Sequence, residues 1–168
     1  MSKVKNELPK SMLEIYLSLG SNLGDRNRNF DEAISRLNTN LLPYASLERE
    51  SNRIETEPWG FVSSDKFLNS VLVYRANIDL TPRILLEICK KIEGEMGRIS
   101  SVQFDENNMR IYHSRIIDID ILLFDNQVVK EFDLVIPHPL ISERDFILIP
   151  LKEVSSYYIN NLFPALFV

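Results

Sequence analysis

The order of strand-like and helix-like segments most constrains the fold of this chain of 168 residues. Alternating or β-branched apolar residues predict strands in four segments. These segments are 15–19, 45–56, 67–78 and 115–124. Two other segments have the 3.6-residue spacing of helices. The first follows Asp25 and extends to about Asn38, and the second follows Thr81-Pro82 and ends near Gly97.

The resulting order, β-α-β-β-α-β, is that of the ferredoxin-like fold. It predicts an α+β domain whose antiparallel sheet carries helices on one face, with C-terminal additions that include a helix carrying Arg144 and Phe146. We expect residues 1–13 to be an N-terminal extension and 14–168 to be one domain with a tail from about residue 153. A long loop is predicted at 98–113, and 128–136 either continue the last strand or pair with it.

Composition narrows the class of protein. A hydrophobic fraction of 45% and a charged fraction of 26% are typical of soluble globular proteins. The net charge of −5 argues against a broad nucleic-acid surface. Cys89 is the single cysteine, which excludes an internal disulfide, and its helical apolar setting predicts a core position. With no secretory signal and no apolar run near ~20 residues, we expect a cytoplasmic monomer without membrane or nucleic-acid partners.

Two aspartates interrupt the most apolar strand segment, RIIDIDILLF at 115–124. Because residues i and i+2 of a strand point to the same face, Asp118 and Asp120 should project together, about 7 Å apart at a rise of ~3.3 Å per residue. Two such carboxylates repel each other and require positive charge nearby. They are either solvated residues of an exposed sheet face or ligands of Mg²⁺, which is commonly held by one or two carboxylates together with substrate phosphates.

Basic residues flank this acidic strand in the sequence. Arg98 ends the second helix, Arg115 precedes the acidic pair, and His138 and Arg144 follow it. The planar fork of arginine donates two parallel hydrogen bonds and suits phosphate groups. Each residue alone is typical of a protein surface, so only their common position around the acidic pair favours a phosphate site. The chain has no G-x-x-x-x-G-K-[ST] loop, and one cysteine with two histidines argues against a Cys/His zinc site.

A second cluster combines aromatic rings with an amide. Its members are Thr56, Pro58, Trp59, Phe67 and Asn69. Aromatic faces with an amide between them suit a flat heterocycle, because rings stack and Asn supplies both a donor and an acceptor. The alternative is a core phenylalanine beside an exposed loop tryptophan. The run GSNLG at 20–24 is either a turn that leads into a helix or a place where the backbone approaches a ligand closely.

These motifs follow one another in a specific order from about residue 15 to residue 153. They are Gly20-Ser21-Asn22, Thr56-x-Pro58-x-Gly60, Phe67-Leu68-Asn69, Glu93 with Gly97-Arg98, Arg115-x-x-Asp118-x-Asp120-Ile121, and Pro137-His138 with Arg144 and Phe146. In this order they resemble the 6-hydroxymethyl-7,8-dihydropterin pyrophosphokinase family. The segment R-x-x-D-x-D-I together with P-H-P is the most specific part of the resemblance.

The resemblance implies an enzyme of folate biosynthesis. Such an enzyme transfers the terminal pyrophosphate of ATP to the hydroxymethyl group of 6-hydroxymethyl-7,8-dihydropterin and leaves AMP. It is implied to be a Mg-dependent diphosphotransferase, with two Mg²⁺ ions as cofactors and ATP as co-substrate. Its mobile loops are implied to become ordered when ATP binds, with 98–113 as the main loop.

The resemblance also implies roles for individual residues. Asp118 and Asp120 match the metal ligands, and together with Arg98 and Arg115 they are implied to be catalytic. The implied pterin-binding residues are Thr56, Pro58, Trp59, Phe67, Asn69, Tyr112 and Phe146. The implied ATP-binding residues are Glu93, Arg98, Arg115, Ile121, His138 and Arg144.

The chain departs from the family pattern in the loop before the acidic strand. Family members carry a second Arg two residues after the position of Arg98, where this chain has Ser100. They often carry Arg-Trp-Gly-Pro where this chain has the residues 111–114. We interpret Arg110 as a replacement for the lost phosphate contact and Tyr112 as a replacement for the Trp.

Two other functions use parts of the same pattern. RNA-binding domains share the element order, but net acidity and the missing pattern of base-stacking aromatics argue against them. A two-metal phosphodiesterase or nuclease would use the same acidic pair and would hydrolyse its substrate without a pterin acceptor. Mg²⁺-dependent ATP binding separates the enzyme from the first alternative, and the need for an acceptor separates it from the second.

Overall fold

The structure is a computed structural model that describes residues 12–60, 62–98, 103–111 and 113–167. The strands are β1 (Met12–Ser21), β2 (Ala45–Glu50), β3 (Ile54–Thr56), β4 (Phe67–Asn77), β5 (Gln103–Phe104), β6 (Arg110–Ile111), β7 (Asp118–Phe124), β8 (Val129–Glu131) and β9 (Leu134–Ile136). The helices are α1 (Arg26–Leu41), α2 (Pro82–Glu95), α3 (Asp145–Val154) and α4 (Tyr157–Leu162), with 3-10 turns at Ile141–Glu143 and Pro164–Leu166.

The main sheet is antiparallel and has the strand order β2-β4-β1-β7. The short strand β3 pairs with the first residues of β4. The two long strands β1 and β4 therefore occupy the centre, and the helices α1 and α2 connect strands that are not neighbours in the sheet. The predicted ferredoxin-like α+β fold is confirmed.

The predicted helix boundaries rest on capping residues that the structure contains. The Asp25 carboxylate accepts the backbone N–H of Arg28 at 3.0 Å and begins α1. The Thr81 hydroxyl accepts the backbone N–H of Ile84 at 3.2 Å and begins α2. Gly97 lies just beyond α2 with a φ of +96°, a conformation that ends a helix and favours glycine. Both helices therefore begin where their sequences predict.

The predicted strand at 45–56 is two strands, because the chain leaves the sheet between β2 and β3. Ser51 still pairs with Val71: its N–H donates to the Val71 carbonyl at 2.9 Å, and its hydroxyl accepts the Val71 N–H at 2.9 Å. The next N–H, that of Asn52, donates instead to the Glu153 carboxylate on α3 at 3.0 Å. A tertiary contact that the local pattern does not encode thus interrupts the ladder.

Two loop predictions also differ from the structure. Part of the predicted loop at 98–113 forms the small antiparallel pair β5–β6. Residues 128–136 neither continue β7 nor pair with it, because they form their own hairpin, β8–β9. The Asp133 carboxylate at its turn binds Arg83 at 3.0 Å and Lys90 at 3.3 Å, so charged residues of α2 hold the hairpin.

One face of the sheet packs against α1 and α2. Ile15, Leu17 and Leu19 alternate along β1 towards this face and are fully buried. Leu85 and Cys89 of α2 are buried in the same core, as their helical spacing predicts. The apolar residues that alternate along β1 therefore pack against the apolar face of α2 in one core.

The C-terminal additions cover part of the opposite face. Tyr16 of β1 and Ile147 of α3 are fully buried there, and the tail residues Tyr158, Phe163 and Phe167 pack against this second core. The helix α3 covers one end of the face and leaves the other end open. None of the described helices has the length and apolar character needed to cross a membrane.

Candidate active site

The open end of the second face forms a cavity of about 280 Å³. Its floor comes from β1, β4 and β7, and its sides come from the residues around β3 and from the segment that leads into α3. Acidic, basic and aromatic side chains from five separate parts of the chain line it.

The aspartates of β7 face the cavity. Ile119 between them points into the opposite core, so the period of two directs Asp118 and Asp120 to the second face. Asp118 lies opposite Gly20 and Asp120 lies opposite Ser18 on β1. These small partners leave space in front of both carboxylates, which therefore line an enclosed site.

Asp118 is bound by two arginines. Its Oδ1 accepts from Arg98 Nη1 at 2.9 Å, and its Oδ2 accepts from Arg115 Nη1 at 2.6 Å. Such charge-assisted hydrogen bonds are about twice as strong as neutral ones. The contacts hold both guanidinium groups at the wall of the cavity, where their remaining donors can bind an anion.

Glu93 supports this arrangement from the α2 side of the sheet. Its Oε1 accepts the backbone N–H of Ile119 at 2.7 Å, and its Oε2 lies 2.5 Å from Arg98 Nη1. Burial, followed by the charge of Asp118, raises the pKa of Glu93 to about 7. Glu93 is buried and does not line the cavity, so its contacts fix Arg98 and β7 in place.

Asp120 has no ion-pair partner in the described part of the chain. Burial, followed by the charge of Asp118, raises its pKa to about 7, and the nearby arginines offset this shift only in part. A half-buried carboxylate without a bonded cation is less favourable in its charged form than one in water. A divalent cation at this position would remove that penalty.

His138 lies on the same wall and is neutral near pH 7. Burial, followed by the charge of Arg144, lowers its pKa to about 4. The backbone N–H of Leu140 donates to His138 Nδ1 at 3.2 Å, so the geometry assigns the ring proton to Nε2. His138 therefore presents one neutral N–H donor.

The aromatic side of the cavity has a fixed amide. Asn69 Nδ2 donates to the Thr56 hydroxyl at 2.7 Å, which orients the Asn69 side chain. A Cβ added to Gly20 would lie 3.3 Å from Asn69 Oδ1 and 3.8 Å from the Phe67 ring. Because Gly20 has no Cβ, the Asn69 amide and the Phe67 ring can lie close to β1. The GSNLG run therefore forms a turn and also leaves room for these two side chains.

The acidic pair Asp118 and Asp120 is the candidate metal site of this cavity. The described residues contain no cluster of three or more His, Cys, Asp or Glu side chains that could hold a metal ion. Asp118 and Asp120 alone supply two carboxylates on one strand face. A hard cation held by them needs further oxygen ligands from a substrate or from water, which is the usual situation for Mg²⁺ beside phosphates.

Comparison with known proteins identifies the family. The model of the 7,8-dihydro-6-hydroxymethylpterin-pyrophosphokinase (HPPK) family matches residues 16–156, most of the chain. The chain belongs to the HPPK family. The predicted family resemblance is confirmed, including its extent along the chain.

Individual HPPK relatives agree with this assignment. A protein of Porphyromonas gingivalis is 42% identical over 147 residues, covering 87% of this chain and 93% of the relative. A protein of Aquifex aeolicus is 36% identical over 152 residues, covering 90% of this chain and 86% of the relative. Both are named 2-amino-4-hydroxy-6-hydroxymethyldihydropteridine pyrophosphokinase.

A solved structure supports the fold. It is a crystal structure of an HPPK-DHPS in complex with substrates, and it superposes with a TM-score of 0.59 at 14% identity. The match covers 93% of this chain and 43% of that chain. At this level of identity the likeness concerns the arrangement of helices and strands alone.

The cavity brings together most of the residues predicted for an HPPK site. The charged and polar group is Arg98, Arg115, Asp118, Asp120, His138 and Arg144. The group on the aromatic side is Thr56, Trp59, Phe67, Asn69 and Phe146. Pro58, Glu93 and Ile121 do not line the cavity. Tyr112 and Ser100 lie outside the described residues, so their roles stay predictions, as does the role of the Arg110 side chain.

The cavity also contains residues that the predicted site omits. They are Ser18, Glu57, His113, Pro139 and Leu140. Gly20 also lines the cavity, and it belongs to the GSNLG run for which a close approach of the backbone to a ligand is one of the two predictions. Ser18 and Gly20 alternate with the buried leucines of β1, so a period-two analysis of this strand could have found them. Glu57 and His113 lie in irregular segments, where no periodic signal exists.

Proposed function

We propose that this protein transfers pyrophosphate from ATP to 6-hydroxymethyl-7,8-dihydropterin, giving the pterin diphosphate and AMP, in folate biosynthesis. One observation carries the proposal: groups suited to phosphates and groups suited to a flat heterocycle line the same cavity. The arginines at Asp118 stand on one side, and the Thr56–Asn69 pair with Phe67 stands on the other. The names of the HPPK relatives describe the same reaction class.

We further propose that Asp118 and Asp120 hold two Mg²⁺ ions together with ATP phosphates. The fit rests on two carboxylates that share one strand face and have only small residues opposite them. Bound Mg²⁺ supplies charge neutralisation of the phosphates and lowers the pKa of the attacking hydroxyl. Burial and the charge of Asp118 raise the pKa of Asp120, and a bound cation would favour its charged form.

On the nucleotide side, the chain's own residues bind and orient the phosphates. The pterin hydroxymethyl oxygen attacks the β-phosphorus of ATP, the bond from that phosphorus to the α,β-bridging oxygen breaks, and AMP leaves. Arg98 and Arg115 stabilise the charge of the transferred group, because their donors are already held at the cavity wall. Arg144 and the neutral Nε2–H of His138 donate to phosphate oxygens, while Glu93 keeps Arg98 in position.

On the acceptor side, Phe67 and Phe146 sandwich the pterin ring. The Asn69 amide forms hydrogen bonds with the polar edge of the pterin, and Thr56 holds this amide in one orientation. The remaining proposed contacts come from Trp59 and Tyr112. Pro58 and Ile121, which do not line the cavity, are left out of the proposed contacts, because the Ile121 side chain is buried with Ile119 in the core on the opposite face. Orientation of the two substrates in one cavity accounts for much of the rate enhancement expected of such a transfer.

The test is to mix the protein with ATP, Mg²⁺ and 6-hydroxymethyl-7,8-dihydropterin and to resolve the nucleotide products. We expect AMP to form only when the pterin is present. ADP would indicate transfer of a single phosphoryl group, and hydrolysis of ATP without the pterin would indicate a phosphodiesterase. Replacing Asp118 or Asp120 by alanine should reduce turnover by orders of magnitude in a folded protein, and near-normal turnover would contradict the metal assignment.

A further inference from the structure

Arg144 differs from the other two arginines of the cavity. Arg98 and Arg115 each bind the carboxylate of Asp118. Among the described residues, no ion pair or hydrogen bond engages the Arg144 guanidinium, and its Nε is buried without a hydrogen-bond partner. A buried charged donor that stays unpaired is unfavourable. This guanidinium therefore gains the most from an anion that enters the cavity.

Two aromatic rings lie close to the same guanidinium. Arg144 Cζ lies 4.4 Å from the centre of the Trp59 ring and 5.6 Å from the centre of the Phe146 ring. Both distances fall within the ~6 Å over which a cation is attracted to a ring face. Trp59 belongs to the loop after β3, so a segment remote in sequence contacts the residue at the start of α3.

Stacking and anion binding use different parts of a guanidinium. The Trp59 ring attracts the cation through its π face, whereas the guanidinium N–H groups that do not contact the ring donate to phosphate oxygens. A guanidinium held over a ring keeps such donors but loses much of its rotational freedom. Because this ordering precedes the arrival of the anion, less conformational entropy is lost on binding.

We propose that Trp59 is a positioning residue for the nucleotide, holding the Arg144 guanidinium in the orientation that binds ATP phosphates. The proposal rests on the proposed function and extends it, since the family resemblance implies only a pterin contact for Trp59. A residue from the acceptor side of the cavity thus acts on the donor substrate through Arg144. Substitutions at Trp59 should therefore affect both substrates, and the effect on phosphate binding should require Arg144.

The first test measures anion binding without turnover. Isothermal titration calorimetry with Mg²⁺-tripolyphosphate, which has neither adenine nor pterin, reports the phosphate site alone. We expect Trp59→Leu to weaken binding about 3- to 30-fold and Trp59→Phe to recover most of this loss. Phe132→Leu is the matched control, because it removes a fully exposed aromatic ring at the turn of the β8–β9 hairpin. Unchanged affinity in Trp59→Leu would overturn the proposal.

The second test asks whether the effect passes through Arg144. In an Arg144→Ala background, Trp59→Leu should cause no further loss of tripolyphosphate affinity, and an equal further loss would overturn the proposal. Trp59 is the single tryptophan, so its emission should change with tripolyphosphate in the native chain and not in Arg144→Ala. In steady state, Trp59→Leu should raise the KM for ATP by the same factor as the loss of affinity.

These measurements separate the two proposals. If the protein forms no AMP from ATP and the pterin, while tripolyphosphate affinity still depends on Trp59 and Arg144 together, the proposed reaction fails and the positioning role stands. If AMP forms and the affinity is insensitive to Trp59, the reaction stands and the positioning role fails.

Discussion

Asn22 and Arg115 are joined by two hydrogen bonds across 93 positions of sequence. The Asn22 side-chain Oδ1 accepts the backbone N–H of Arg115 at 2.7 Å, and the Asn22 N–H donates to the Arg115 carbonyl at 3.0 Å. Asn22 Nδ2 also donates to the Ser114 hydroxyl at 3.0 Å. Asn22 is buried, so these bonds fix the backbone of Arg115 just before the acidic strand β7.

Replacing Asn22 by alanine should therefore destabilise the fold and impair the site. The change leaves the Arg115 N–H without its acceptor, and we expect the free energy of unfolding in urea to fall by about 1–3 kcal/mol. Turnover should fall as well, because Arg115 binds Asp118. Ser114→Ala is the control, since it keeps the bonds to Arg115 and should have a smaller effect on both measurements. Equal losses in the two variants would contradict this role of Asn22.

Replacing Gly20 by alanine should weaken pterin binding while the fold persists. The added methyl group would lie 3.3 Å from Asn69 Oδ1, so the amide must move away from the position in which Thr56 holds it. We expect the KM for the pterin to rise several-fold and the KM for ATP to change less. Gly94→Ala is the matched control, because a Cβ there meets nothing within 4 Å. A normal pterin KM in Gly20→Ala would show that the amide does not contact the acceptor.

Replacing Asp120 by asparagine should stabilise the metal-free protein at alkaline pH. The folded pKa of about 7 lies above the ordinary value, so the native chain is most stable where Asp120 is protonated and loses stability as the pH rises from about 4 to 7. Asparagine carries no charge at any pH and avoids this loss. Urea unfolding in EDTA should show the variant to be more stable at pH 8 and similar at pH 4, although its turnover is lost.

Asp118→Asn serves as the contrasting variant in the same experiment. Asp118 binds Arg98 and Arg115, so removing its charge breaks two ion pairs and should lower the stability at pH 8. Stabilisation by both substitutions would mean that simple repulsion between the carboxylates dominates the site.

His138 should remain neutral well below the ordinary histidine range. Its folded pKa of about 4 lies below the unfolded value, so its contribution to stability is present above pH 6.5 and is lost as the pH falls towards 4. Nitrogen NMR of the imidazole should show the Nε2–H tautomer at pH 7 and a midpoint near pH 4. His138→Gln assigns the signal, since the other histidine is His113. A midpoint near pH 6.5 would contradict the burial of this ring.

Sequence patterns predicted the features that are set by residues close together in the chain, namely which face of a strand a side chain points to and where a helix begins. Period two placed Asp118 and Asp120 on one face, and the capping side chains of Asp25 and Thr81 marked the helix starts. The ferredoxin-like fold followed from the order of the helices and strands along the chain.

Contacts between remote segments could not be predicted in this way. The interruption after Ser51 depends on Glu153, which lies on a helix about a hundred residues further on. The position of the Arg144 guanidinium over Trp59 depends on how α3 packs across the sheet. Nothing in the spacing of either segment encodes such a contact, because only the assembled fold brings these residues within reach of each other.

The cover that α3 provides over the second face has a consequence for biosynthesis. A ribosome that has released the chain only as far as β9 has produced every strand of the sheet, yet Tyr16, Val71 and Val73 still face water. Until α3 emerges and docks, the nascent chain exposes an apolar surface that chaperones recognise and that favours aggregation. The same docking brings Arg144 and Phe146 to the cavity. The step that covers the apolar surface of the nascent chain therefore also completes the cavity.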